Sequence, residues 1–292
     1  MLNEADTRAK LIDPKLHESG WDETRIEREH HFTKGRIYLV GDEHRRKEPK
    51  KADYLLRYAD SLPIAVVEAK DESHNPGDGM QQAKSYAEIL NLLFAYSTNG
   101  RGIEEFDFAT NEQRSLTKFP SPDELWQRYE AFRLPSDSLK AAEAAGKYVT
   151  GASPLDPLLY PYFREVGGKV PWNFQEIAIQ NIIERILKGD KKVLLTMATG
   201  TGKTFVAFQI AWKLVKSKRI SRVLFLADRD SLVKQALNDG FKVHLPNESR
   251  TRIYSTNINK TARVYVSTLQ TLEICYNKFS PAEFDLIISD EC

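Results

Sequence analysis

Asp53, Glu68 and Lys70 are the first residues whose types and spacing could do chemistry. The apolar run 64–67 leads into Glu68, and 53–58 reads as a second strand, the two joined by the polar turn 60–63. Asp53 opens one strand and Glu68 closes the other, so a hairpin carries both carboxylates to one end. Glu68 and Lys70 are two positions apart and share a strand face. Carboxylates at that range repel, and each raises the other's pKa, unless a divalent cation neutralises them. Mg²⁺ held there stabilises charge on a scissile phosphate and activates a water. Lys70 adds a compact positive charge that positions the water or steadies the phosphoryl transition state. The Ala69 carbonyl is a further candidate ligand. A helix expected over 78–92 carries Gln82 and Tyr86, four apart and so on one face. A helical segment expected over 22–31 carries Glu29, either a further carboxylate or surface charge. The basic run 45–51 is either a grip on a nucleic-acid backbone or a solvated loop.

A second constellation runs from Thr196 to Thr204, between an expected strand at 193–195 and an expected helix through Val215. Gly200 and Gly202 let backbone N–H groups converge on phosphate oxygens. Lys203 reaches the β and γ phosphates, and the Thr204 hydroxyl ligates Mg²⁺. The strict form of such a loop has a glycine five positions before Gly202, where Met197 stands. Asp290 and Glu291 follow an apolar run at 285–289, at the carboxyl end of an expected strand where open sheets bind ligands. Asp290 suits the magnesium and Glu291 the attacking water.

The elements that position these residues fall into two patterns. From about Pro171, strands at 193–195, 222–227, 263–267 and 285–289 alternate with helices starting near Phe205, Ser231 and Thr268, as in a parallel α/β sheet. Before Leu116 the pattern is a mixed one of strands and a helix. Between them, 116–170 reads as a linker punctuated by Pro120, Pro122, Pro135, Pro154, Pro157 and Pro161, with a helix over 125–132 and a small-residue stretch at 141–146. The expected domains are therefore 1–115, 116–170 and 171–292. With 292 residues, 41% of them apolar and 28% charged, the chain suffices for two cores. A net charge of +1 confines nucleic-acid affinity to local patches. Two distant cysteines, Cys275 and Cys292, fit a reducing compartment and no zinc site. No apolar stretch spans a bilayer, so the expected location is cytoplasmic, with no membrane partner. A strand that ends the chain in adjacent acids reads as a truncation of something longer.

Asp53, Glu68-Ala69-Lys70 and Gln82-x-x-x-Tyr86 together resemble the PD-(D/E)xK nuclease superfamily, with Ala52 where a proline is usual. The resemblance implies that Asp53, Glu68 and Ala69 hold metal, that Asp53, Glu68 and Lys70 are catalytic, and that Gln82 and Tyr86 orient the site or contact DNA. Ala198-Thr199-Gly200-Thr201-Gly202-Lys203-Thr204, Asp290-Glu291-Cys292 and Phe174-Gln175 resemble superfamily 2 helicases. That likeness implies a RecA-like lobe in which Gln175 reads the adenine edge. Thr199, Gly200, Thr201, Gly202, Lys203 and Thr204 would bind ATP, Thr204 and Asp290 metal, and Arg229, Ser267, Thr268 and Gln270 the DNA backbone. A nuclease placed before such a motor resembles the restriction subunit of type I restriction-modification systems, which works with double-stranded DNA and with methyltransferase (M) and specificity (S) subunits. The implied fold is α/β: a restriction-endonuclease-like mixed sheet, then a RecA-like P-loop parallel sheet cut short. Without a second motor lobe to supply an arginine finger, such a fragment is expected to bind ATP and hydrolyse it poorly. Two other readings stand beside this one: a stand-alone repair or phage-defence helicase-nuclease, and an inactive truncated DNA-binding fragment.

Overall fold

The computed structural model describes residues 2–31, 50–134, 156–165, 168–256 and 258–290, and the backbone alone at 37–40 and 43–46. Glu291, Cys292, the stretch 141–146 and residues 47–49 of the basic run lie outside the described residues. The chain divides into two compact units, Met1–Ser136 and Asp137–Cys292.

The first unit begins with a helix in three joined pieces: α1 (Glu4–Thr7), a π turn (Arg8–Ile12) and α2 (Asp13–Glu18). Asn3 caps it by accepting the Asp6 N–H. Pro14 has no N–H to offer the carbonyl four residues back, and the turn widens just before it. Gly20, at φ +89°, ends the helix. The helix expected over 22–31 does not form; those residues turn and then enter strand β1 (Ile26–His31), which pairs antiparallel with β4 (Lys51–Ala59). Ladder partners supplied from far along the chain override the local signal.

After the small ribbon of β2 (Ile37–Val40) and β3 (Glu43–Arg46), β4 turns at Asp60–Ser61 into β5 (Leu62–Ala69), the expected hairpin. β5 is buried along its whole length, as a central strand covered on both faces must be. It pairs in parallel with β6 (Phe94–Thr98), and a parallel pair needs a crossover. Helix α3 (Met80–Leu90) makes it, inside the expected 78–92, and ends on Asn91 in the left-handed region. β7 (Ile103–Asp107) and β8 (Glu112–Leu116) complete a mixed sheet of order β1-β4-β5-β6-β7-β8. On one face Met80, Ala83 and Ala87 of α3 close over Leu55, Val66 and Ala95. The helix expected over 125–132 is α4 (Pro122–Arg133), opened by a Ser121/Glu124 capping box. Its Trp126 stacks on Tyr58 of β4 at 4.8 Å. Arg128 on the same helix reaches the fully buried Glu105 with both terminal nitrogens, at 3.0 and 2.9 Å.

The second unit contains α5 (Asp156–Leu159), α6 (Asn173–Leu187), α7 (Lys203–Lys216), β9 (Val223–Ala227) and α8 (Asp230–Gln235). A π turn (Ala236–Phe241), α9 (Lys242–His244), β10 (Arg250–Arg252), β11 (Val264–Thr268), α10 (Leu269–Cys275) and β12 (Leu286–Asp290) follow. The sheet is all parallel, β10-β11-β9-β12. Phe208, Val215, Phe225, Phe241 and Val266 form its main core. The strand expected at 193–195 is not one. Those residues alternate half-buried and exposed, as extended chain does, yet join no ladder, and Leu194 stays 87% exposed. β12, one of the two edge strands of the sheet, pairs with β9 among the described residues. Segment 158–163 is strapped to α7 through its own carbonyls: Lys213 donates to Leu158 O, Trp212 to Pro161 O, and Gln209 to Phe163 O while accepting the Phe163 N–H. No helix among the described residues is long and apolar enough to cross a membrane.

Glu105 accepts from Arg114, Arg128 and Tyr96, and these partners outweigh its burial and hold its pKa below the usual value. Removing Arg128 leaves a buried carboxylate short of its main counter-charge. Arg128→Met should lower the unfolding free energy of the first unit by about 3 kcal/mol in denaturant titrations at neutral pH. The loss should narrow as acid protonates Glu105.

Candidate active site

The hairpin places the first constellation. Tyr54 pairs with Val67, so Asp53 and Glu68 stand across from each other one step further, both at the carboxyl end of β5. Both are buried. Asp53 Oδ2 accepts the Ala69 N–H at 2.8 Å, leaving Oδ1 turned toward Arg8 at 3.4 Å. Glu68 Oε1 accepts from Lys70 Nζ at 2.8 Å, and Glu68 Oε2 is buried with no hydrogen-bond partner. Burial first, then the charge of Asp53, push the Glu68 carboxyl up to about 7 against the pull of Lys70, and Glu4 on α1 adds to the push. Lys70 is raised in turn: burial works against its charge, but Glu68, Glu4 and Asp53 prevail. Gln82 Nε2 donates to the Tyr86 hydroxyl at 2.8 Å, and its Oε1 faces Lys70 Nζ at 3.5 Å. A chain therefore runs from Tyr86 through Gln82 and Lys70 to Glu68, and it fixes the ammonium beside the carboxylate.

An orphaned buried carboxylate oxygen facing a second carboxylate is the donor set a small hard cation takes. No group of three or more metal-ligating side chains converges among the described residues. Two carboxylates and a carbonyl still fit Mg²⁺, which keeps several of its waters. Space is tight around them. A Cβ on Gly79, where α3 begins, would lie 2.8 Å from both Glu68 Cγ and Ser97 Oγ, and 3.2 Å from Lys70 Cε. Gly79 also donates its N–H to Ser97 Oγ, tying the helix to β6.

The glycine loop of the second unit has the expected conformation at its two key positions, Gly200 at φ +75° and Gly202 at φ +85°. Lys203 Nζ rests on Met197 O at 3.3 Å, and Thr201 Oγ1 donates to Ala198 O. Thr199 is exposed on the loop. Thr204 Oγ1 donates to Asp290 Oδ2 at 3.0 Å, joining two residues 86 positions apart into the pair that would share a magnesium. Gln175 is buried, with Nε2 on Thr201 O at 2.8 Å and Oε1 accepting the Trp172 N–H at 2.9 Å. Both ends of its amide therefore hold the chain. A cavity of about 520 Å³ lies beside the loop, between α6 and residues 193–198, with Phe174, Asn181 and Arg185 in its wall.

The four residues expected on a DNA backbone divide evenly. Arg229 and Gln270 are exposed, Arg229 with its nearest carboxylate on Asp228 at 3.4 Å. Ser267 and Thr268 are buried: Ser267 Oγ donates to Thr268 O, and Thr268 caps α10 by accepting the Thr271 N–H. Glu29, expected on a helix, instead lies on β1 between the pairs Arg28↔Tyr54 and His30↔Ala52. Two participants carry no sequence signal. Arg8 is 45 positions from the aspartate it touches, and Gly79 matters only for the side chain it lacks.

Residues 169–292 match the family described as the res subunit of type III restriction enzymes. Across its whole length the chain is 35% identical to the EcoAI type I restriction enzyme endonuclease subunit of Escherichia coli, covering 35% of that protein. Across 82% of its length it is 25% identical to the EcoKI endonuclease subunit of Escherichia coli K12, covering 24% of it. A solved fragment assigned to an HsdR subunit of a type I restriction enzyme from Vibrio vulnificus YJ016 is 42% identical and superposes with a TM-score of 0.80; the alignment covers the whole chain and 52% of that structure. The homologues of this chain are thus endonuclease subunits of type I restriction enzymes, and its second unit is helicase-like. The chain spans about a third or less of the curated relatives it matches.

The raised Glu68 has a signed consequence. A carboxyl whose folded pKa lies above its ordinary 4.5 contributes stability below that value and loses it as pH rises through about 7. Glu68→Gln is neutral at every pH. In chelator, that variant should be more stable than the parent above pH 7 by up to about 3 kcal/mol, with no advantage below the ordinary value. Added Mn²⁺ should stabilise the parent at pH 8 and leave the variant unmoved, as thermal melts can read.

Proposed function

We propose that this chain carries the nuclease site and the ATP-binding lobe of a type I restriction subunit. In this reading the first unit cuts unmodified double-stranded DNA away from the recognition site by Mg²⁺-dependent phosphodiester hydrolysis, and the second is part of an ATP-driven translocase. One observation carries the reading: Glu68 Oε2 is buried and orphaned across from Asp53, with Lys70 fixed on the other Glu68 oxygen. Mg²⁺, when bound, neutralises the two carboxylates, stabilises charge on the scissile phosphate and lowers the pKa of a water. Asp53 Oδ1, Glu68 Oε2 and the Ala69 carbonyl are the groups that would hold it. Lys70 is held by Glu68 and Gln82 where it can orient the water or meet the developing charge. Tyr86 fixes Gln82, so the helix-borne pair acts on the reaction by placing the lysine.

In the second unit, Lys203 and the N–H groups of Thr199 to Thr204 cradle the phosphates of ATP, and Thr204 and Asp290 share its magnesium. Glu291 is the acid that polarises the attacking water. Gln175 stiffens the loop against the nucleotide, and adenine is read in exchange for one of its present bonds. Arg229 and Gln270 take the DNA backbone, while Ser267 and Thr268 shape the helix start beside it. Methyltransferase and specificity subunits recognise the site, consistent with a net charge of +1 that gives no broad basic face. An arginine finger from a second lobe would complete this ATP site.

In the complete enzyme, assembled with its methyltransferase and specificity subunits on unmodified circular DNA, Glu68→Ala and Lys70→Ala should each abolish cutting and leave ATP hydrolysis intact. Lys203→Ala should abolish both. Normal cutting by Glu68→Ala would place the nuclease elsewhere. Gly79→Ala should act like Glu68→Ala, since its new methyl displaces the stems of Glu68 and Lys70 at a strain of about 1–3 kcal/mol. A Gly79→Ala enzyme that cuts at the parental rate would contradict the close packing drawn here.

A further inference from the structure

Arg8 touches Asp53 of the carboxylate pair, and what surrounds it is unusual. Its guanidinium lies between two acids, Nη1 at 3.4 Å from Asp53 Oδ1 and Nη2 at 3.3 Å from Glu29 Oε1. Neither contact is bidentate, and both exceed the 2.7–2.9 Å of a tight charge-assisted bond. Burial works against its charge, yet Asp53 and Glu29 raise its pKa, so it stays cationic. It is about one-fifth exposed, which leaves a path from solvent to its fork.

The backbone departs from regular geometry at both ends of the Arg8–Glu29 contact. Arg8 opens the π turn that interrupts the first helix, and such turns re-aim side chains at functional sites. Glu29 stands at φ +55° in the middle of β1, a left-handed conformation that a glutamate adopts at a cost. Its carboxylate reaches Arg8 and also Lys51 Nζ, the latter at 3.1 Å. Two local irregularities that converge on one weak, stretched ion pair need a reason beyond joining a helix to a sheet.

We propose that Arg8 is a catalytic residue of this nuclease site, binding a non-bridging oxygen of the scissile phosphate, and that Glu29 positions it. The proposal rests on the nuclease reading above. Asp53 Oδ2 is committed to the Ala69 N–H, so Oδ1 is the oxygen left for a divalent cation, and it is the one Arg8 now faces. With that oxygen given to a cation, the guanidinium would keep its contact with Glu29 on the other side. Its remaining N–H groups would then be free to donate to a non-bridging phosphate oxygen. As the water oxygen bonds to phosphorus, the ester P–O bond breaks. A water proton passes to solvent base, the leaving oxygen is protonated, and charge gathers on the non-bridging oxygens. A planar fork suits those oxygens better than an ammonium does.

Three measurements on Arg8→Ala, Arg8→Lys, Glu29→Gln and Glu29→Asp test this: MnCl₂ titration and thermal melts of the 292-residue chain, binding of a short duplex to that chain in CaCl₂, and single-turnover cleavage by the complete assembled enzyme. Arg8→Ala should bind Mn²⁺ at least as tightly as the parent, bind duplex several-fold more weakly, and cut about 100-fold more slowly. Arg8→Lys, which keeps the charge and loses the fork, should recover less than about a tenth of that rate. Glu29→Asp, at ease in the left-handed region, should cut near the parental rate, and Glu29→Gln about tenfold below it with Mn²⁺ affinity unchanged. The proposal is overturned if Arg8→Ala cuts within about threefold of the parent, or cuts faster with tightened Mn²⁺. It is equally overturned if Mn²⁺ affinity and melting temperature fall along with the rate in the Arg8 and Glu29 variants, which would make the pair a structural tie. A parent enzyme that neither binds Mn²⁺ at Asp53 and Glu68 nor cuts would sink the nuclease reading, and this inference with it; a parent that cuts beside an equally active Arg8→Ala sinks the inference alone.

Discussion

Two carboxylates held in one buried corner repel each other, and the first unit is arranged around that repulsion. Asp53 and Glu68 are brought there by the β4–β5 hairpin, the shortest route by which a chain can set two distant residues side by side. Neither acid can turn to water, because α3 closes over the hairpin and Gly79 leaves no room beside Glu68. The corner is eased by partial measures: an amide N–H on Asp53, an ammonium on one oxygen of Glu68, and a loosely held guanidinium on the remaining oxygen of Asp53. None of them reaches Glu68 Oε2, and a proton held up to about pH 7 is the chain's own remedy. A divalent cation, as proposed, would be the better one, since its charge would relieve both carboxylates at once.

How legible this was in the sequence depends on distance along the chain. The hairpin, the crossover helix and the Gln82–Tyr86 pair are set by patterns a few residues long, and the structure has them within a residue or two of where the periodicity puts them. β1 was misread as helix because its charges sit at helical as well as strand spacing, and only β4, some twenty residues on, decides between them. Arg8 was invisible for the same reason: its meaning lies in Asp53 and Glu29, neither of them a local neighbour. Glycines divide in the same way. Gly200 and Gly202 announce themselves through a motif, whereas Gly79 has an ordinary backbone and matters through the side chains pressed against it. Ser267 and Thr268 show the converse case, since a hydroxyl that looks available on paper is also used by the fold.

In the second unit the same logic separates a motif from a working site. Residues 193–204 carry the glycine loop, and a hydrogen bond joins Thr204 to Asp290, the two residues proposed to share a magnesium. Yet Lys203 rests on the loop's own carbonyl, and the segment leading into the loop joins no ladder. Positive φ at Gly200 and Gly202, and an amide from Gln175 on Thr201 O, are what hold the loop's shape. Gly202 could not be otherwise: a Cβ there would lie 2.6 Å from Gln175 Nε2, in a backbone region that side chains avoid. Gln175 and Gly202 are therefore one device, a buried amide seated where a side chain is missing. A nucleotide bound as proposed would meet a loop whose curvature is already set, and Lys203 would have to leave Met197 O to reach its phosphates. The segment leading into the loop forms one wall of the cavity whose other wall is α6, so the glycine loop and the cavity share residues 193–198.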